Sequence, residues 1–155
     1  MAKKLSAGLV LYRKRGTEIE VFIVHPGGPF WAKKDDGVWS IPKGEYLDGE
    51  NPLAVATREF AEETGSQVSG SFIELPAAKQ PSGKIIRAWA VEGDLDAASI
   101  RSNHFSLEWP PNSGRMQSFP EVDRALWCSV ALARRKLLPG QRVLLDRLEE
   151  RVREP

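Results

Sequence analysis

The chain has 155 residues and a mass of 17.3 kDa, the size of one ordinary domain, so a single core serving residues 1–155 is expected. Its 22 Lys and Arg stand against 21 Asp and Glu, a net charge of +1, which argues against a polybasic nucleic-acid binder and an acidic disordered tail. The lone Cys128, in the apolar run Ala125-Leu126-Trp127-Cys128, has no disulfide partner within the chain and reads as a small core residue.

The start, Met1-Ala2-Lys3-Lys4-Leu5, is basic but lacks the long apolar run of a secretory signal. No stretch approaches the ~20 apolar residues of a membrane span, so a soluble, cytoplasmic protein, monomeric or homodimeric, is expected. Leu5 to Tyr12 is apolar and β-rich. Glu18 to His25 is the strongest strand signal, and Arg13-Lys14-Arg15-Gly16-Thr17 between them reads as a solvated turn. His25 to Gly37 is a loop, and Trp39 to Pro42 a short extended piece.

A helix is expected over Pro52 to Thr64, with Asn51 as N-cap, Pro52 in the first turn and Gly65 just past the end. Ser71 to Leu75 and Ile85 to Val91 read as strands, and Leu126 to Val130 as a short strand or strand-to-helix junction. Helical segments follow at Ala131 to Leu138 and Arg142 to Arg153, the latter with Leu144, Leu148 and Val152 on one stripe. Gly93 to Glu121 is a long mixed connection, and such segments are often functional. The order predicts an α/β (α+β) chain, a mixed sheet flanked by helices.

Within the first helix, Glu59, Glu62 and Glu63 fall at i, i+3 and i+4 and so project from one face. Three anions there repel, and the only cation close in sequence is Arg58. A divalent cation relieves the repulsion, and carboxylate oxygens are the ligands Mg²⁺ and Mn²⁺ prefer. Leu53, Ala56 and Phe60 lie on an adjacent, core-seeking face. An arbitrary Glu-rich helix is more simply a solvated surface; the residues around this one change the balance. Trp39-Ser40-Ile41-Pro42-Lys43-Gly44 brings a glycine for close backbone approach and a lysine for a phosphate. Glu50 sits ahead of the helix, within reach of Arg58 or of water on the metal.

Residues 44–66, GEYLDGENPLAVATREFAEETGS, resemble the Nudix box, G-x5-E-x7-R-E-U-x-E-E-x-G-U. Gly44, Glu50, Arg58, Glu59, Phe60, Glu62, Glu63 and Gly65 fall on the pattern, while Ser66 departs from it where an aliphatic residue is usual. The resemblance implies an α/β/α sandwich that hydrolyses a nucleoside diphosphate linked to another moiety, with Mg²⁺ or Mn²⁺. Carried over by position, Glu59, Glu62 and Glu63 would bind metal, with a main-chain carbonyl at Lys43 or Gly44. Arg58 would orient a glutamate by a charge-assisted hydrogen bond. The general base in this family lies either in the box or on a loop before the last strand. Here that loop is Ser118 to Asp123, where Glu121 is the first candidate for base or distal metal ligand, Asp123 the second and Glu108 a distant third.

Aromatic faces suited to a base are Phe30, Trp31, Trp39, Trp89 and Trp109, though Trp89 and Trp127 read more simply as core. Trp31, in a polar loop with Lys33 and Lys34, has less reason to be buried. Lys43, Lys79, Lys84, Arg87 and Arg115 are cations suited to a polyphosphate. Together with the Trp39–Gly44 entry they look more like the diadenosine polyphosphate branch than the ADP-sugar branch, with an NTP or oxidised NTP second. A nucleotide-binding regulatory module without turnover is the rival from another class, and the intact Arg58-Glu59-x-x-Glu62-Glu63 set argues against it. The near-neutral charge offers no broad RNA track.

Overall fold

The computed structural model describes residues 4–153; Met1, Ala2 and Lys3, included above in the reading of the chain start, lie outside the described residues. Strand β1 (Leu5–Arg15) turns through Gly16-Thr17 into β2 (Glu18–Pro26). The basic turn anticipated at Arg13–Arg15 is therefore strand. Arg13 is drawn into it by Glu20 and Asp94, each 2.8 Å away, and its guanidinium lies 4.2 Å from the centre of the Trp127 ring.

The chain continues through β3 (Lys43–Tyr46), α1 (Pro52–Thr64), β4 (Ile73–Lys79) and β5 (Ile85–Glu92). It then forms the hairpin β6 (His104–Glu108) and β7 (Met116–Pro120), followed by β8 (Val122–Ser129), α2 (Val130–Lys136) and α3 (Arg142–Arg153). Among the described residues six strands make one mixed sheet in the order β4-β5-β1-β2-β8, with β3 paired to β1. Of these strand pairs among the described residues, β1 with β5 alone is parallel. No helix among the described residues is long and apolar enough to cross a membrane.

Strand β1 is apolar on both faces because both are covered. Its odd residues Ala7, Leu9 and Leu11 join Phe22 and Val24 of β2 against Val55, Ala56 and Phe60 of α1. Its even residues Val10 and Tyr12 join Val21 and Ile23 against Leu144, Leu145 and Leu148 of α3. The period of two in the strands and the apolar stripes of the helices thus yield the expected three layers. Cys128 is buried in the α3-side core, and burial pushes its thiol up to about 11. Strand β8 starts earlier than the hydrophobicity suggests, because His25 and Pro26 extend the β2 ladder to Arg124 and Val122 across a bulge.

One edge of β1 serves two partners. Residues 12–15 pair with β2, and residues 5–8 pair with β3. Between them the Trp39–Pro42 segment fills the fork: Ser40 bridges to Val24, and Leu9 N–H donates to the Pro42 carbonyl at 3.1 Å. The fully buried Gln141 secures this segment from the other side. Its Oε1 accepts from Ile41 N–H at 2.9 Å, and its Nε2 donates to Ser40 Oγ at 2.9 Å.

Replacing Gln141 with Leu leaves the Ile41 N–H without its acceptor. A loss of about 1–3 kcal/mol in urea unfolding is expected, with the far-ultraviolet dichroism of the folded protein unchanged. Wild-type stability in that variant would assign Gln141 no structural weight.

Candidate active site

Helix α1 begins on a hydrogen bond from Ala54 N–H to the Asn51 side chain and ends at Gly65, in the left-handed conformation, bonded to Ala61. Phe60 on one side is fully buried against Phe22, which fixes the helix rotation. That rotation carries Glu59 and Glu63 toward β3, while Glu62 stays beside Arg58 on the outer side of the helix. Glu63 is only 7 % exposed, and its Oε2 accepts from the Lys43 N–H at 3.2 Å. Glu59 lies across Gly44 so closely that a β-carbon at position 44 would occupy the space of its side-chain carbons. Gly44 is thus required by the neighbouring carboxylate.

Arg58 sits among Glu50, Glu59 and Glu62 at 3.8, 3.7 and 3.9 Å. These are ion-pair separations, longer than the charge-assisted hydrogen bond anticipated for it, so Arg58 neutralises the acidic face more than it aligns one oxygen. Glu50 also accepts from the Leu47 N–H at 2.8 Å, closing the loop ahead of the helix. Ser66, the departure from the box, bonds through its N–H to Thr64 Oγ1, so its polarity is satisfied locally at the helix end.

Glu121 joins this group from β7–β8. It lines one cavity of about 250 Å³ with Glu63, Lys43, Trp31, Val38 and Leu138. Segment 101–103 ties it to the helix. Arg101 and Asn103 N–H groups donate to the carbonyls of Thr64 and Glu62, and Glu121 N–H donates to the Asn103 carbonyl, each at 2.8 Å. On its other side Gly27 N–H donates to the Glu121 carbonyl at 2.9 Å, and a β-carbon on Gly27 would collide with Pro120. Ser102, Asn103 and Gly27 are the contributors that sequence reasoning missed. Asn103 and Gly27 act through backbone groups, which leave no side-chain signature, and Ser102 acts through its hydroxyl, which accepts from Val122 N–H at 3.0 Å.

The remaining candidates divide. Lys43 is half-buried in the cavity wall, and burial, with Lys84 nearby, lowers its ammonium pKa. Lys84 reaches Glu45 at 3.4 Å. Arg87 is engaged by Glu74 at 2.6 Å and packs over Trp89, with no interaction to the box carboxylates among the described residues. Trp39 is a correction: at 4 % exposure, with its indole N–H on Asp35 at 2.7 Å, it is a core residue with no open face for a base. Trp89 is core, as read. Asp123 is also reassigned, since it binds the buried His25 Nδ1 at 2.8 Å and serves the fold. Glu108 accepts from Asn112 N–H in the β6–β7 turn.

The electrostatics are those of anions crowded away from water. Burial, then Glu59, pushes Glu63 up to about 8 against the opposing Lys43 N–H. Burial and Glu62 raise Glu59, and burial and Glu62 raise Glu121. Among the described residues no three of these carboxylates converge on one point; each is turned to Arg58, to the Lys43 N–H or to the cavity. An all-oxygen, mutually repelling donor set of this kind fits a hard divalent cation.

A family model described as the NUDIX domain matches residues 2–148. The chain belongs to the NUDIX domain family. It is a Nudix hydrolase with every charged position of the box in place. Its fold is similar to that of an Ap4A hydrolase from C. elegans, at 21 % identity and TM-score 0.63, covering 95 % of this chain and 97 % of that one. It is also similar to the NUDIX domain of Shewanella oneidensis NrtR complexed with ADP ribose, at 17 % identity, TM-score 0.65 and 98 % and 90 % coverage. A third likeness is MutT in a study of Aliivibrio salmonicida and Vibrio cholerae, at 16 %, 0.55 and 94 % and 95 %.

Because Glu63 holds its proton more tightly folded than unfolded, its contribution to stability is full below pH 4.5. It is lost as the pH rises toward 8. In chelator, Glu63→Gln is therefore expected to gain on the wild type between those limits, by on the order of 3 kcal/mol at pH 8. Urea midpoints at pH 5, 7 and 8.5 check this, and a constant difference across the range would refute it.

Proposed function

We propose that this Nudix hydrolase cleaves a dinucleoside polyphosphate, diadenosine tetraphosphate in the first place, using Mg²⁺ or Mn²⁺. The observation that carries the reading is the cavity in which Trp31, Val38 and Leu138 face Lys43, Glu63 and Glu121. It joins an apolar, aromatic slot suited to a base to the charged groups suited to a phosphoric anhydride. The whole-length resemblance to an Ap4A hydrolase supports the same substrate class.

Glu59, Glu62 and Glu63, with a carbonyl at Lys43 or Gly44, would hold the metal, which when bound supplies charge neutralisation on the phosphates and acidifies a water. Lys43 places a point charge beside the anhydride. Arg58 holds Glu59 and Glu62 together and limits their repulsion. Glu121, on the cavity rim with a raised pKa, takes the proton from the attacking water. Trp31 closes the slot over the base.

Glu62→Gln is expected to lower kcat by about 10²–10⁴-fold with the fold intact, and Glu121→Gln by less, about 10–10²-fold. An inert Glu121→Gln would return the base role to the box, and a wild-type rate in Glu62→Gln would remove the metal proposal. The substrate is tested by kcat/KM over diadenosine tetraphosphate, NTPs, ADP-ribose and capped RNA with each metal, the products identified. A preference for any of the other three would overturn the assignment.

A further inference from the structure

The loop after β2 runs along the β6–β7 hairpin. Gly27 is bonded to Glu121 at the hairpin's root, Gly28 packs on Phe105, and the Phe30 ring meets the Trp109 ring edge-on at 5.2 Å. Trp31 lines the cavity, and its chain neighbour Phe30 carries the aromatic surface outward to Trp109. Phe30 is 57 % exposed and Trp31 38 % exposed. Two adjacent aromatic rings left open at the rim of a polar cavity form the kind of surface on which a planar ligand group stacks.

The charges on this arm are unbalanced, although its sequence, Lys33-Lys34-Asp35-Asp36, is neutral. Asp35 is taken by Lys136 at 2.8 Å and by the Trp39 indole, and Asp36 by Arg135 at 3.2 Å. The acids thus pin the loop to α2, leaving the lysines without counter-ions. Lys34 Nζ lies 5.1 Å from the centre of the Trp31 ring, and Arg115 stands opposite Trp109 in the hairpin, its carbonyl accepting from the Trp109 N–H. Among the described residues none of Lys33, Lys34 and Arg115 pairs with a carboxylate.

We propose that this arm is a second nucleoside site. The far base of a dinucleoside polyphosphate stacks on the open face of Phe30, which Trp109 braces, and the adjoining phosphates are met by Lys33, Lys34 and Arg115. The inference rests on the substrate class proposed above and adds the determinant that separates a substrate with two bases from one with a single base. Aromatic faces with unpaired cations are the chemistry of a nucleotide, whereas a purely apolar partner would leave three charges unsatisfied.

The test compares diadenosine tetraphosphate with adenosine 5′-tetraphosphate, which carries the same phosphates and one base. Binding is measured by calorimetry with Mg²⁺ in the full chain bearing Glu62→Gln, to suppress turnover. Loss of one stacked base costs about tenfold, so Phe30→Ala should lower the preference for the two-base ligand by about that factor, and Phe30→Tyr should retain it. Lys33→Gln with Lys34→Gln should weaken both ligands and lessen the salt dependence.

An unchanged preference in Phe30→Ala, where the wild-type chain cleaves diadenosine tetraphosphate, overturns the second site alone. Failure of the wild-type chain to cleave that compound defeats the substrate reading, and the second site with it. Light scattering supplies the remaining arm. A dimer that Phe30→Ala converts to monomer, with both ligands weakened equally, would give this face to a second copy and overturn the proposal.

Discussion

A carboxylate withdrawn from water is unstable unless something compensates it, and the centre of this molecule is built around one. Glu63 sits almost wholly inside the fold, its carboxylate hydrogen-bonded by the Lys43 backbone N–H and with Glu59 close enough to raise its pKa further. The protein keeps it there by covalent and packing constraints rather than by pairing. Position 63 is one turn from Phe60, and Phe60 is locked in the core. Strand β3 cannot retreat, because β1 holds it in register from Leu5 to Gly8. Gly44, lacking a side chain, lets Glu59 lie directly on the strand. The same charge repulsion is what a bound divalent cation would relieve, so under the proposed function the crowding costs stability where the chemistry requires it.

The long connection between β5 and β8 belongs to this constraint. Its backbone caps the carbonyls of Glu62 and Thr64 at the end of α1 and then hands a hydrogen bond on to Glu121. Ser102 adds a second tie through its hydroxyl to Val122 N–H. A helix C-terminus has free carbonyls that must be satisfied somehow. Here the group that satisfies them also delivers a fourth carboxylate to the site. The β6–β7 hairpin is the excursion that the chain makes between those two attachments.

The three layers were legible because they follow from periodicity. Alternation in Leu5 to Tyr12 and Glu18 to His25, together with the stripe of Leu144, Leu148 and Val152, is enough to place a sheet between helices. The carboxylate face was legible from spacing alone, since i, i+3 and i+4 on a helix have only one geometry. The rest was hidden for definite reasons. The β6–β7 hairpin has short strands with mostly exposed residues, so its hydrophobic signal is weak. Arg13–Arg15 looked like a turn because charge was counted without its cross-strand partners. Trp39 looked available because it is an aromatic opening the Trp39–Gly44 entry to the box, whereas Lys136 at the end of α2 and Asp35 hold it in the core. Asp123 and Glu121 are two residues apart and would share one face of a regular strand, but the register shift between the His25–Arg124 and Pro26–Val122 pairs leaves Asp123 as an extra residue turned to His25, while Glu121 stays at the cavity.

The same distinction applies to charge. A net of +1 describes a sum, but what a ligand meets is the remainder after internal pairing. Arg13, Arg87, Arg134, Arg135 and Lys136 are each held by a carboxylate, and so belong to the fold. On the acidic side the remainder at the site is Glu59, Glu62, Glu63 and Glu121, with the half-exposed Arg58 beside the first two and Lys43 beside Glu63. On the basic side it includes Lys43 in the cavity wall and the lysines of the loop that carries Trp31. Acidic and basic remainders separated along one surface are poorly matched to a uniform polyanion, which would be repelled by the carboxylates at every register. They match the short polyphosphate proposed above, whose charge a bound cation would partly offset, and this is why the partner of the site is expected to be small.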